Sequence, residues 1–284
     1  LSSSYEWFKG DFDKGIEKAK ENLHFAQKHE LLADSAYAAN LLGSLYQQKN
    51  NLEQAQGYIE KAIHIFTEMK LINALASAML NQATFCHWRG DFSKARNAYN
   101  KALNMGRQIN NQIMQSVSLS NLGSINDDTG RFNEAITSHK DALAINPDDR
   151  LSKYWQSMIY YKKGVIHEAK SILEKAIIKD KFPLYYIGLA LISLILGKKE
   201  HAEKMLLKGF DTKKEDKMNI SEKIEFFLKT SQFHYENRNF KESIDYSKKV
   251  IGLTNSLSRE YAMASAFIEI DKFRLKKISN LDIS

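Results

Sequence analysis

A short phrase keeps returning along this chain: Gly10-Asp11-Phe12, Gly90-Asp91-Phe92 and Gly130-Arg131-Phe132, with weaker copies at Asn50-Asn51-Leu52, Gly164-Val165-Ile166, Gly197-Lys198-Lys199 and Arg238-Asn239-Phe240. In most copies an Ala follows three residues after the phrase and another small or apolar residue seven later, as in Ala55 and Ala62, Ala95 and Ala102, Ala135 and Ala142, Ala169 and Ala176. Taking Gly10, Asn50, Gly90, Gly130, Gly164, Gly197 and Arg238 as the turn residues, the intervals are 40, 40, 40, 34, 33 and 41. A phrase that repeats at this period marks an array of helical hairpins in which each unit buries its apolar face only against its neighbours. Such an array binds something far more often than it catalyses anything.

Two prolines in 284 residues suit a nearly all-helical chain, since proline breaks helix interiors. Cys86 is the single cysteine, which excludes an internal disulfide and a thiolate zinc site and makes the cytoplasm the expected compartment. The start, from Leu1, has neither the basic stretch nor the apolar core of a signal peptide, and no segment is apolar enough to span a bilayer. The net charge of +7 is unevenly placed: residues 1 to 145 carry 15 bases and 15 acids, the remainder 26 and 19. The excess lysines alternate with acids along helix faces, which argues for a solvated surface and against direct nucleic-acid contact.

Between the phrases, apolar residues recur at three-and-four spacing: Leu41, Leu42, Leu45 and Tyr46, then Leu52, Ala55, Ile59, Ala62, Ile63 and Phe66. This is the stripe of an amphipathic helix, and each unit offers two of them joined by the turn. Small residues at Gly43, Ala83, Gly123, Ser157 and Ala190, and at Ala55, Ala95, Ala135, Ala169 and Ala202, mark where the paired helices cross closely.

These residues resemble the tetratricopeptide repeat. The fourth unit shows it best, with Asn121-Leu122-Gly123, Gly130-Arg131-Phe132-Asn133-Glu134-Ala135, Ala142 and Ala144-Ile145-Asn146-Pro147-Asp148-Asp149. Pro147 stops one helix there, and Asp148 and Asp149 open the next. The resemblance implies an all-α right-handed solenoid of about seven helical hairpins plus a closing helix, as one domain over 1–284. The units fall at about 1–30, 33–70, 71–110, 112–147, 148–181, 183–210 and 219–254, with the capping helix at 257–277. The forty-residue units, whose extra length is expected in the second helix and its connection, are similar to those of spindle-orientation adaptors, kinesin light chains and bacterial peptide-sensing regulators. In those families the array holds an extended peptide on its inner face. The first unit has only Leu1 to Lys9 before its turn, so the pattern leads us to expect further residues upstream.

Catalytic signatures are missing. His29-Glu30 and His167-Glu168 begin like the helical zinc-protease motif, but Ala33 and Ser171 stand where its second His is required. There is no phosphate loop, nucleophile elbow or dinucleotide fingerprint, and Cys86 and His87, as helix neighbours, point about 100° apart. We therefore expect no enzymatic activity, cofactor or metal.

By the resemblance, the first helix of each unit lines the groove. That places Asn40, Ser44 and Gln47 of the second unit, Asn81, Thr84 and His87 of the third, and Asn121, Ser124 and Asp127 of the fourth as ligand-binding residues. An amide that both donates and accepts suits an extended peptide backbone, and Asn is a poor mid-helix residue. The lysines and arginines by which related arrays clamp a terminal carboxylate are replaced here by Asn40, Ser77, Asn81 and Ser120, which puts that ligand in doubt. In the fifth unit Tyr154, Trp155, Met158 and Tyr161 fall on one helix face, where they either pack between units or anchor an apolar side chain; Tyr154, Met158 and Tyr161 are counted among the ligand-binding residues. The run Phe182 to Leu196 is apolar on its inward face too, at Leu184, Ile187, Leu191 and Leu194. A peptide, an inward-curling end of the array, or a second subunit in a homodimer would cover it. The charged segment Asp211 to Lys217 is expected to be a mobile loop.

The functional expectation is a non-enzymatic peptide- or protein-binding array, the ligand-sensing part of a cytoplasmic, bacterial regulatory protein such as a transcription regulator. A scaffold for multiprotein assembly and an accessory domain of an enzyme are the alternatives.

Overall fold

The structure, a computed structural model, describes residues 12–49, 51–211, 218, 220–254 and 259–281. Gly10, Asn50, the segment from Leu1 to Asp11 and residues 212–217, where a mobile loop was expected, lie outside the described residues. Among the described residues there are fourteen helices and no strands, and no helix is long and apolar enough to cross a membrane. The all-α hairpin expectation holds. The chain divides into two compact units, Leu1–Pro147 and Asp148–Ser284.

The first unit contains α1 (Phe12–Lys28), α2 (Leu32–Gln48), α3 (Leu52–Glu68), α4 (Ile72–Trp88), α5 (Phe92–Gln108), α6 (Gln112–Asp128) and α7 (Phe132–Ile145). The second contains α8 (Arg150–Lys162), α9 (Ile166–Lys179), α10 (Pro183–Ile195), α11 (Lys199–Asp211), α12 (Ile220–Glu236), α13 (Phe240–Leu253) and α14 (Arg259–Leu281). Within each unit, consecutive helices pack antiparallel as hairpins and each hairpin stacks on the next.

In every copy of the phrase, the second helix of a hairpin starts two residues after the turn residue: Phe12, Leu52, Phe92, Phe132, Ile166, Lys199 and Phe240. At the described glycine turns the reason is backbone geometry. Gly90, Gly130, Gly164 and Gly197 have φ of +77, +74, +74 and +70°, the left-handed region that only glycine enters freely. The following amide closes a six-residue ring on the previous helix, Asp91 N to Cys86 O at 2.8 Å and Arg131 N to Asn126 O at 2.7 Å, which satisfies carbonyls the helix end would orphan. The joints between hairpins use the same device without glycine. Glu30, Lys70 and Asn110 sit at φ 56, 55 and 52°, and Leu31, Leu71 and Asn111 donate to Ala26, Phe66 and Gly106.

The longer period comes from both helices, where the sequence suggested the second helix and its connection. All helices from α1 to α6 have 17 residues, whereas α8, α10 and α11 have 13 and α9 has 14. One turn has been added to each helix, so the stripe on both faces gains a layer.

The small residues sit at helix crossings as expected. A Cβ on Gly43 would lie 2.5 Å from Ile59 Cγ1, and one on Gly123 2.7 Å from His139 Nε2. Where Ser takes the place of Gly or Ala, its hydroxyl donates to the facing backbone carbonyl twelve residues on: Ser157 to Ala169 at 2.8 Å and Ser231 to Ser243 at 3.0 Å. Asp149 caps α8, accepting from the amides of Leu151 and Ser152, which explains how a helix opens just after Pro147.

Candidate functional site

In the first unit the first helices of successive hairpins, α2, α4 and α6, lie side by side. Side chains one repeat apart therefore meet directly. Asn81 Nδ2 donates to Asn40 Oδ1 at 2.9 Å, Asn40 Nδ2 reaches Ser77 Oγ at 3.5 Å, and Gln47 Nε2 donates to the Asn81 carbonyl at 2.7 Å. Further along, His87 Nε2 and Asp128 Oδ2 are 2.9 Å apart, both largely shielded from solvent. Asn40–Asn81 and His87–Asp128 are each 41 residues apart, so the two pairs are successive rungs between neighbouring inner helices.

The expected groove residues separate into two groups. Asn40, Ser44, Asn81, Asn121 and Ser124 are half-buried. Ser44 and Asn121 have no hydrogen-bond partner among the described residues, and the Asn81 side-chain oxygen accepts nothing there. Ser124 is bonded back to the Ser120 carbonyl at 3.4 Å, the usual resting place of a helical serine. Gln47 and Asp127 are buried, and the Thr84 hydroxyl lies 3.1 Å from the buried Tyr99 hydroxyl of α5, inside the hairpin. Ser44, Asn121 and the Asn81 side-chain oxygen are thus uncharged polar groups on α2, α6 and α4 that no other described residue engages. The Asn40, Ser77 and Asn81 positions that would carry a carboxylate clamp bond one another instead.

Cys86 faces a cavity of about 130 Å³ shared with Gln56, Glu60, Arg89, Asp91 and Lys94. Burial pushes its thiol up, and Asp91 adds to the effect, which is the reverse of an activated nucleophile. His87 is engaged with Asp128 and edge-on to Phe92.

The second unit differs. Tyr154 and Met158, expected among the groove residues, are core instead: both are wholly buried in one apolar cluster with Leu173, Phe182 and Ile187, and Trp155 and Tyr161 pack at its margin. Leu184, Ile187 and Leu191, the inward-facing leucines and isoleucine of the apolar run, are also completely buried, with Leu194 partly so; only Ile195 and Leu196, at its end, are exposed. The cover comes from the unit itself, because α12 packs along α10. Its side chains reach past α10 to α8. Arg150 Nη2 is 2.7 Å from Glu222 Oε1, and the Tyr154 hydroxyl donates to Glu225 Oε1 at 3.4 Å. Burial, then Glu236 of α12, raises the Tyr161 phenol.

Asp128, Arg150 and Glu222 were not singled out from sequence. The offset of 41 shared by His87–Asp128 and Asn40–Asn81 could have found Asp128; the 72 residues between Arg150 and Glu222 match no repeat interval.

Residues 74–148 match one family model of the tetratricopeptide repeat and residues 36–65 another. No curated protein matches the sequence. Among solved structures, the chain is similar to a Rap protein complexed with Competence and Sporulation Factor, at 17% identity and TM-score 0.71, covering 91% of this chain and 74% of that one. The apo form of RapI gives 15% identity and TM-score 0.70 over 89% of this chain and 94% of its own. Aspartyl phosphate phosphatase F from Bacillus subtilis gives 19% and 0.69 over 89% and 68%. At these identities the likeness is one of fold.

Proposed function

This chain is a tetratricopeptide repeat protein, and we propose that it binds an extended peptide or protein segment through the inner helices of its first unit, without catalysing a reaction. The observation that carries the reading is the set of half-buried polar groups on α2, α4 and α6 that the protein's own hydrogen bonds leave available: Ser44, Asn121 and the side-chain oxygen of Asn81. A peptide backbone presents a donor and an acceptor at every residue, and an asparagine amide answers both. Lysine and arginine have no place among these groups, so the ligand is held by its backbone and shape more than by a terminal carboxylate. Gln47, with its amide fixed on the Asn81 carbonyl, and the Asn40–Asn81 bond hold these helices in place before any ligand arrives.

The finer reading is a cytoplasmic regulator that senses this segment. Its support is the fold shared with a Rap protein solved in complex with Competence and Sporulation Factor, and the similarity of the forty-residue units to peptide-sensing regulators. The inert setting of Cys86 and the engagement of His87 by Asp128 support the absence of catalysis.

The test is a selection of phage-displayed random peptides on the wild-type chain and on the Asn81→Ala/Asn121→Ala variant. The wild type should enrich a peptide family that the variant retains at least tenfold more weakly, with unchanged far-UV circular dichroism. Equal retention by both would refute the site.

A further inference from the structure

In the first unit, residues 40 apart hold equivalent places, because the turns recur at that interval and the helices from α1 to α6 all have 17 residues. One such place, late in the first helix of each hairpin, is filled in three different ways. On α2 it holds Tyr46, whose ring stacks on Tyr58 of α3 with 5.7 Å between centroids and 4° between planes, while Lys20 of α1 stands 5.8 Å from its centre. On α6 it holds Asn126, whose amide donates to Ser138 at 3.4 Å and accepts from Arg131 at 3.3 Å. On α4 it holds Cys86, and the counterparts of Tyr58 and Lys20 are Ala98 and Glu60. Two tyrosines of one hairpin have become a cysteine and an alanine in the next.

The cavity of about 130 Å³ lies at this place. Its floor is apolar: Ile59 of α3 and Phe85 and Cys86 of α4 are all buried. Its rim is polar and comes from both hairpins. Gln56 Nε2 donates to Glu60 Oε1 at 2.8 Å, the Arg89 guanidinium lies 5.5 Å over the Phe85 ring and reaches Gln56 Oε1 at 3.4 Å, and Lys94 is 3.2 Å from Asp91. An apolar cavity of about 150 Å³ takes up benzene, so the space here suits one aromatic ring and little more.

The rim selects the substituent on that ring. Where Lys20 meets the Tyr46 phenol, the cavity presents Glu60, whose ionised carboxylate only accepts hydrogen bonds. Arg89 and Lys94 are already engaged by Phe85, Gln56 and Asp91. A neutral hydroxyl donor therefore fits better than a second carboxylate. We propose that this cavity binds a small monocyclic phenol, its ring lying on Ile59, Phe85 and Cys86 as the Tyr46 ring lies one hairpin earlier, and its hydroxyl donating to Glu60. Held by α3 and α4 at once, the ligand stabilises the joint between two hairpins. None of Ser44, Asn81 and Asn121 lines the cavity, so the inference does not depend on the reading of the inner helices.

p-Cresol, a tyrosine side chain without its backbone, is the probe, and isothermal titration calorimetry the measurement. It is titrated into the wild-type chain and into C86Y, C86L and E60A. The expected result is saturable binding to wild type, a loss of roughly tenfold or more in C86Y, where the protein supplies the ring itself, and a smaller loss in C86L. In E60A, the lost hydrogen bond should weaken binding roughly threefold. No saturable binding to wild type, or equal affinity in C86Y with helical circular dichroism intact, would overturn the proposal. If C86Y loses helical signal, C86L decides, and equal affinity there overturns it as fully. Equal affinity in E60A overturns the phenol as the ligand class.

Discussion

Replacing Gly123 with Ala tests the close helix crossing on which the array depends. A Cβ there would stand 2.7 to 2.8 Å from three atoms of the His139 ring, distances at which something must move. His139 is fully buried in α7, so its ring has little room to retreat. Overfilling a packed site of this kind costs about 1–3 kcal/mol. Acting against that is the helix propensity of Ala over Gly, worth about 1 kcal/mol. Gly57→Ala provides the measure of the second quantity alone, because Gly57 is exposed in the middle of α3 with nothing within 4 Å of its would-be Cβ. Gly57→Ala should therefore stabilise by up to about 1 kcal/mol. The difference between the two variants isolates the crossing, and we expect it to be about 1–3 kcal/mol. Urea denaturation followed by circular dichroism reads it, with the midpoints compared at shared slope because repeat arrays need not unfold in one step. If Gly123→Ala stabilises as much as Gly57→Ala, the helices do not cross where the small residues place them. Adding His139→Ala to Gly123→Ala should relieve the conflict, so the two changes should fail to add.

Two further outcomes are expected. Lys70→Gly should stabilise the first unit by about 1 kcal/mol, because Lys70 holds φ 55° with a side chain that disfavours it; a lower melting midpoint would count against a strained joint. Asp271 is buried on α14, and that burial lifts its carboxyl above the ordinary 3.8, with the nearby Ser243 and Arg274 opposing. Its ionisation is thus harder in the folded state, so stability falls as pH rises from 3.8 through the raised value and stays lowered above it. Asp271→Asn should accordingly raise the denaturation midpoint at neutral pH, with the gain fading towards pH 3.8; a gain independent of pH would refute the cause.

The hairpin count and the start of each second helix were legible because a glycine in left-handed backbone leaves a mark in the sequence, and Gly90, Gly130, Gly164 and Gly197 all carry it. The joints at Glu30, Lys70 and Asn110 adopt the same conformation with ordinary side chains, so composition hides them even though they recur every forty residues. The crossing at Ser231 and Ser243 was hidden likewise: serine there supplies a hydrogen bond where glycine supplies room. Asn81 and Asn121 stood out as asparagines in mid-helix. Whether Tyr154 and Met158 formed groove or core could not be read, because a stripe at three-and-four spacing is the same in both cases. What separates them is α12, packed along α10 and tied back to α8 through Arg150–Glu222, a partner two repeats away.

The joints of the first unit have an evolutionary consequence. Leu31 to Ala26, Asn51 to Tyr46, Leu71 to Phe66, Asp91 to Cys86 and Asn111 to Gly106 are one hydrogen bond drawn five times, between helices of equal length from α1 to α6. A recombination event that deletes or duplicates the block between two equivalent joints, such as residues 52 to 91, rejoins ends that already fit. Copy number can then drift by unequal crossover without any turn being redesigned, and the length of the first unit can change in steps of one hairpin. The second unit repeats the bond at Val165, Lys198 and Asn239, but its turns Gly164, Gly197 and Arg238 stand 33 and 41 residues apart and a long-range ion pair ties α8 to α12, so its blocks are not of equal length.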